Sequence, residues 1–187
     1  RTVLDNPWIK LKPFPRQAVF LALDEYLEVL FGGAAMGAKS VAAIMAAAQY
    51  VDVPGYYALV LRRSRQDLLL AGGMIPISLD WWKGTAATYN GSTFTWTFPS
   101  GAVIQFGYCE NAGDEQRYKG SQFQLIDVDE LTEWPDENQY TFLFRSLRKP
   151  HGGPLDAVPL RMRAQTNPGD RGAAWVKKRF IADDYFK

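Results

Sequence analysis

Short apolar runs alternate with helical periodicity along most of the chain. Four apolar runs have the length of buried strands: residues 29–31, 57–61, 123–128 and 160–166. Four further segments have helical spacing or high helix propensity: residues 16–26, 40–51, 139–148 and 173–181. Because alternating strands and helices favour a parallel sheet, the pattern predicts an α/β fold with helices flanking a mainly parallel central sheet.

One segment departs from this alternation. Residues 93–98 and 102–106 are both β-rich, and Pro99, Ser100 and Gly101 lie between them. Two such runs joined by a short turn predict an antiparallel hairpin, here inserted into the α/β pattern.

Composition adds limits to this picture. The 187 residues, 47% of them hydrophobic, predict one globular domain over residues 1–187. A net charge of +1 does not by itself predict nucleic-acid binding. A single cysteine, Cys109, and a single histidine, His151, rule out an internal disulfide and a Cys/His metal cluster. No apolar run is long enough to cross a bilayer, so we expect no membrane association. The chain does not begin with Met, and we expect it to be a fragment of a longer one.

A glycine-rich loop lies between the first predicted strand and the second predicted helix. It consists of Gly32, Gly33, Ala34, Ala35, Met36, Gly37, Ala38, Lys39 and Ser40. Backbone N–H groups of such a loop and of the helix N-terminus bind phosphate; Lys39 would reach the β and γ phosphates, and Ser40 would hold Mg²⁺. Ala38 stands where the usual pattern has glycine, and Met36 is bulkier than usual. The alternative interpretation is a turn followed by an Ala-rich core helix.

Two acids end the third predicted strand. Asp129 would lie near Mg²⁺, and Glu130 would orient the attacking water, which is the chemistry that an ATPase needs. The alternative is a solvated helix start. Asp127 is unusual because an acid inside a buried strand is costly unless it is paired.

Together these motifs resemble the ATPase domain of the large terminase subunit of tailed bacteriophages, a P-loop NTPase fold. The segment 1–26, with Pro15, Arg16 and Gln17, is similar to the family's adenine-recognition segment, and Gln17 matches the base-reading position. The loop from Gly33 to Ser40 is similar to the family's Walker A loop. Residues 125–130 resemble Walker B. Residues 59–63 look like the family's second strand, which ends in basic residues.

The resemblance implies a set of site residues. Catalysis would involve Lys39, Glu130 and an arginine that acts on a neighbouring subunit, for which Arg117 is the first candidate. A solvated surface arginine is the alternative for Arg117. Thr166 and Asn167 match the coupling motif that senses the γ phosphate. The implied nucleotide-binding residues are Gln17, Gly33, Ala34, Ala35, Met36, Gly37, Ala38, Lys39, Ser40, Thr166 and Asn167, and the metal residues are Ser40 and Asp129.

The same resemblance implies cofactors and partners. The cofactors are ATP and Mg²⁺, and the partners are double-stranded DNA, the portal protein and the terminase small subunit. The chain would form a homo-oligomeric, pentameric ring on the procapsid, and as an isolated fragment it would be a monomer. The expected location is the host cytoplasm. The family's C-terminal nuclease domain is absent from this sequence, so we expect no nuclease activity. The alternatives are a helicase-like P-loop ATPase and a catalytically silent nucleotide-fold module that binds portal, small subunit or DNA.

Two further groups of residues, arginines and tryptophans, lie outside these motifs. Arg161 and Arg163 alternate with apolar residues on a predicted strand, and they face either DNA or solvent. Four tryptophans are predicted to pack in the core rather than to stack on bases: Trp81, Trp82, Trp96 and Trp134.

Overall fold

The computed structural model describes residues 5–33 and 38–181. Its strands form one seven-stranded sheet: β1 (Glu28–Gly32), β2 (Tyr57–Arg62), β3 (Thr88–Asn90), β4 (Thr95–Thr97), β5 (Val103–Tyr108), β6 (Leu125–Val128) and β7 (Arg161–Thr166). The strand order is β1-β7-β6-β2-β5-β4-β3. The first five strands in this order are mutually parallel; β4 pairs antiparallel with β5, and β3 pairs antiparallel with β4. The predicted α/β fold with a mainly parallel sheet is confirmed.

Six α-helices connect or flank the strands in the described part of the chain: α1 (Pro15–Ala22), α2 (Lys39–Ala48), α3 (Arg65–Leu69), α4 (Met74–Trp82), α5 (Asn138–Leu143) and α6 (Ala173–Phe180). Short 3₁₀ turns include Asp114–Tyr118 and Leu131–Glu133. The sequence pattern predicts neither α3 nor α4. Within the described ranges no helix has the length and apolar character required to cross a bilayer.

The predicted hairpin is present, but it belongs to the main sheet. β4 pairs antiparallel with β5, with Thr97 opposite Val103, and β3 extends the sheet by one more antiparallel strand. On its other side β5 pairs parallel with β2, with Tyr57 opposite Val103. β5 is therefore both the second hairpin strand and a member of the parallel sheet.

Two apolar clusters cover the two faces of the sheet. Along β2, Ala58 and Val60 belong to one cluster, whereas Leu59 and Leu61 belong to the other. Side chains of a strand point alternately to opposite faces, so a strand buried on both faces is apolar throughout. The alanines of α2 pack into the first cluster. Three of the tryptophans lie in that cluster and the fourth in the second, which confirms their packing role: Trp81, Trp82, Trp96 and Trp134.

Both arginines of β7 are buried, so neither faces DNA or solvent. Each is 1% exposed. Arg163 donates to the carbonyls of Leu23 (2.6 Å) and Tyr26 (3.1 Å), in the connection between α1 and β1. Arg161 forms an ion pair with Asp24 at 3.3 Å in the same connection. The two guanidinium groups bond to this turn, and α1 ends at Ala22 rather than continuing to residue 26 as the apolar spacing predicts.

Candidate nucleotide and metal site

The predicted site residues meet at one edge of the sheet. Because β1, β7, β6 and β2 are parallel, their carboxyl ends lie together. Gly33 follows β1, Thr166 ends β7, Asp129 follows β6 and Arg62 ends β2. Open α/β sheets bind ligands at this edge, outside the carboxyl ends of the strands.

The described end of the glycine-rich loop joins directly to α2. Lys39 and Ser40 are the first two residues of that helix, so its free N–H groups point toward the loop. Lys39 Nζ donates to the Gly33 carbonyl at 3.2 Å. Ala38 adopts a left-handed conformation, with φ 47° and ψ 41°. Glycine reaches this region without strain, which explains its usual occurrence at this position. The predicted phosphate contacts of Ala34, Ala35, Met36 and Gly37 lie outside the described residues.

Gln17 ties the N-terminal segment to this loop. Its Nε2 donates to the Ala38 carbonyl at 2.9 Å, and its Oε1 accepts from the Phe14 N–H at 2.8 Å. The side chain is buried on the inner side of α1. Both ends of the amide are thus paired within the chain, and the contact of Gln17 with adenine stays a prediction.

The Asp129 carboxylate is fully buried beside the start of α2. Its Oδ2 accepts from Ser40 Oγ at 2.7 Å and from Arg62 Nη1 at 2.6 Å. Its buried Oδ1 has no hydrogen-bond partner among the described residues. A carboxylate oxygen that lacks a donor, next to a serine hydroxyl, suits Mg²⁺, which takes one or two protein oxygens together with substrate phosphates and water. Ser40 and Asp129 therefore fit the metal role that the sequence predicts.

This donor set is small. Within residues 5–33 and 38–181, no group of three or more His, Cys, Asp or Glu side chains has the arrangement of a metal site. An ion held here would need oxygens from a second source, and nucleotide phosphates supply them in sites of this type.

Glu130 is held in an unusual backbone conformation. Its φ is 53° and its ψ is 52°, in the left-handed region, where a non-glycine residue is strained. Asn167 Nδ2 lies 2.9 Å from each carboxylate oxygen of Glu130 and donates to them. Burial and, next, the charge of Asp129 raise the pKa of Glu130, while Arg62 and Lys39 act in the opposite direction. Asn167 thus fixes the Glu130 carboxylate, whereas Asp129 is held by Ser40 and Arg62.

The end of β7 supports Asn167. Thr166 Oγ1 donates to Thr132 Oγ1 at 2.8 Å, and Thr132 lies in the 3₁₀ turn that follows Glu130. The two predicted coupling residues thus contact the segment that carries the two acids.

Asp127 lies inside the sheet and not at its edge. It is fully buried, and its Oδ2 accepts from Gln165 Nε2 at 3.0 Å. Burial raises the pKa of Asp127 from 3.8 to about 7. The neighbouring strand thus supplies the partner that the sequence alone could not identify.

Arg117 is not among the residues brought together at the sheet edge. It is exposed in the 3₁₀ turn Asp114–Tyr118, where its Nη2 donates to the Tyr108 carbonyl at 2.9 Å. It also pairs with Asp114 at 3.1 Å, and its guanidinium lies over the Tyr108 ring. Its predicted action on a neighbouring subunit stays a prediction.

Sequence reasoning misses one residue of the site. The sequence identifies Arg62 only as a basic residue that ends the second strand, yet its guanidinium contacts Asp129, the predicted metal ligand. A signal is present: in a parallel sheet, residues that follow neighbouring strands meet at the same edge. The order β6-β2 that brings them together is a property of the fold.

Strand order, a glycine-rich loop that leads into α2, and two acids after β6 define this chain as a P-loop-type α/β domain. A family model described as "Terminase large subunit, T4likevirus-type, N-terminal" matches residues 82–155. This match confirms the resemblance to the N-terminal domain of phage large terminases. It includes both acids and Arg117, and it does not include the glycine-rich loop.

Two solved structures share the fold. The HK97 bacteriophage large terminase superposes with a TM-score of 0.64 at 10% identity, over 90% of this chain and 36% of that one. The large terminase from a thermophilic bacteriophage gives a TM-score of 0.63 at 14% identity, over 84% of this chain and 40% of that one. This chain therefore spans well under half the length of either protein. No curated protein matches it.

Proposed function

We propose that this domain is the ATPase of a viral DNA-packaging motor, which hydrolyses Mg²⁺-ATP to move double-stranded DNA into a procapsid. The observation that supports this most directly is the pairing of two acids with two different partners. Asp129 contacts Ser40 at the start of α2, and Glu130 contacts Asn167 after β7. A metal-side acid and a water-orienting acid are thus separately held beside a phosphate-binding helix end.

Each side chain has a distinct task in the proposed reaction. The N-terminus of α2 and Lys39 bind the phosphates and offset their negative charge. Ser40 and Asp129 would hold Mg²⁺, which when bound would supply positive charge to the phosphate oxygens. Glu130 orients the attacking water, and Asn167 fixes the direction of the Glu130 carboxylate. The chemistry is mainly positioning and charge stabilisation, as in other phosphoryl transfers.

The active site is proposed to be completed by a neighbouring subunit in a ring. Arg117 is exposed and has a surface ion pair with Asp114, which is weak in water; to reach a phosphate it would exchange this pair and its contacts with Tyr108. The assembled ring would act in the host cytoplasm with the portal protein and the small subunit. Residues 1–187 would serve as the motor's ATPase domain, and no nuclease activity is assigned to them.

The test is ATP hydrolysis in Mg²⁺ at increasing protein concentration. Wild type is compared with Glu130→Gln and, as a matched control, with Glu25→Gln, which makes the same change at an exposed glutamate between α1 and β1. We expect turnover per subunit to rise with concentration, to be lost in Glu130→Gln and to persist in Glu25→Gln.

Two results would contradict this proposal. Equal turnover in wild type and Glu130→Gln would exclude Glu130 as the residue that orients water. Binding of double-stranded DNA with no ATP binding at all would instead support the silent nucleotide-fold module.

A further inference from the structure

Arg62 is a positively charged residue that contacts Asp129 directly. It ends β2, which pairs with β6, and the Asp129 N–H donates to the Leu61 carbonyl at 2.9 Å. This backbone contact places Arg62 beside Asp129, where the two side chains form an ion pair at 2.6 Å. The guanidinium is largely buried, with 17% of the side chain exposed.

The surroundings of Arg62 are strongly acidic. Burial disfavours its charge, but the carboxylates of Asp129, Glu133 and Glu130 outweigh burial and raise the pKa of Arg62. In return, Arg62 acts against the rise in the pKa of both glutamates. The Arg62 guanidinium thus acts on three carboxylates at the edge where the phosphates are proposed to bind, and Lys39 acts with it on Glu130.

The contacts of Arg62 leave room for other ligands. Arg62 and Ser40 share the Oδ2 of Asp129, so the buried Oδ1 keeps no partner among the described residues. The buried Nε–H of Arg62 also lacks an acceptor within the same residues. Arg62 therefore neutralises Asp129 without using the oxygen that suits a metal, and its buried Nε–H remains a donor without an acceptor among the described residues.

This charge matters most when nucleotide arrives without metal. Phosphates carry several negative charges, and an unpaired buried carboxylate would repel them. A resident cation on the carboxylate removes that repulsion, whereas a bound divalent cation removes it more completely.

We propose that Arg62 is the resident counter-cation of Asp129: it neutralises this acid in the metal-free site and thereby allows nucleotide phosphates to bind before Mg²⁺ does. This inference rests on the proposed nucleotide site and adds a positioning residue to it. We therefore expect nucleotide binding to depend more strongly on Mg²⁺ in a variant that lacks Arg62 than in wild type.

The experiment measures the affinity for the ATP analogue AMP-PNP by calorimetry, once in Mg²⁺ and once in EDTA. Arg62→Gln is compared with Arg63→Gln, the same change at the next residue. Arg63 donates to the Cys109 carbonyl and to Gln139, away from Asp129. We expect Arg62→Gln to weaken binding in EDTA by about tenfold, from the loss of one charge near the phosphates. Its affinity in Mg²⁺ should change little, and Arg63→Gln should resemble wild type in both buffers.

If Arg62 has only a structural role, Arg62→Gln will lower the affinity for AMP-PNP equally in both buffers or in neither. Either result would overturn the proposal. A wild type that binds no AMP-PNP in Mg²⁺ would instead refute the nucleotide site itself. If Arg62→Gln does not fold, Arg62→Gln with Asp129→Asn removes both charges and tests the same point. The double variant should then bind in EDTA as tightly as wild type, and weaker binding would contradict the inference.

Discussion

Gly107 in β5 provides the space that the Asp114–Tyr118 turn needs to pack on the sheet. A methyl group at Gly107 would overlap Tyr118 Oη and would lie 3.0 Å from Leu61 Cδ2. The Tyr118 hydroxyl cannot move away freely, because it accepts from the Tyr108 N–H at 3.0 Å and donates to the Tyr108 carbonyl at 3.2 Å. Gly107→Ala should therefore destabilise the protein and displace the turn that carries Arg117.

The size of this effect follows from two opposing contributions. Forcing one extra methyl group into a packed interior lowers the free energy of unfolding by about 1–3 kcal/mol. Replacing glycine with alanine restores about 0.4–1 kcal/mol by restricting the unfolded chain. The overlap involves a hydrogen-bonded group and not a flexible chain end. We therefore expect Gly107→Ala to lower the free energy of unfolding by an amount near the upper part of the range of about 1–3 kcal/mol. Tyr118→Phe alone removes the hydroxyl and should cost about 1 kcal/mol.

The assay is urea denaturation of the two single variants and the double variant, with Gly91→Ala as control. Gly91 lies in an exposed turn where a methyl group would make only an ordinary contact with Tyr89. Because Tyr118→Phe removes the overlapping oxygen, the double variant should lose less than the sum of the two single losses, by about 1 kcal/mol. A fully additive double variant, or a Gly107→Ala protein as stable as wild type, would refute this reasoning.

Three further predictions concern the site. The raised pKa of Asp127 means that the folded state holds its proton more tightly than the unfolded chain, so stability present below pH 3.8 is lost as the pH rises through about 7. This loss corresponds to about 4 kcal/mol. Denaturation of the metal-free protein should show Asp127→Asn more stable than wild type at pH 8 and little different at pH 4. Stability-against-pH profiles that run parallel for the two proteins would contradict this prediction. Asn167→Ala removes the donor that fixes Glu130 and should lower kcat by about tenfold or more; an unaltered kcat would argue against this positioning. Ala38→Gly relieves a left-handed alanine and should raise the free energy of unfolding by up to about 1 kcal/mol in thermal melts, where a lower Tm would count against it.

Local patterns in the sequence are sufficient to predict where two of the candidate site segments lie in the fold. The glycine-rich loop that leads into α2 and the two acids are both recognisable from residue order, because each directly follows an apolar strand. The short helices are harder to predict. α3 begins after Ser64, whose Oγ accepts from the Asp67 N–H, a capping signal that apolar spacing alone does not include.

Contacts between residues far apart in the chain cannot be predicted from the local sequence pattern. Arg161 and Arg163 alternate with apolar residues, and this alternation normally indicates one solvated strand face. β7 is instead central in the sheet, so both faces are covered and the arginines bond to the α1–β1 connection. The contact of Arg62 with Asp129 likewise depends on β2 and β6 being neighbours, which strand order and not local sequence determines.

The central claim is that one sheet edge binds Mg²⁺ and the phosphates of ATP. The most direct measurement is a crystal structure of the protein with Mg²⁺ and AMP-PNP. The account predicts the metal at Ser40 and Asp129, the γ phosphate next to Lys39, and a water molecule on Glu130. Nucleotide bound at another surface, or phosphates at this edge with the metal away from both Ser40 and Asp129, would contradict it.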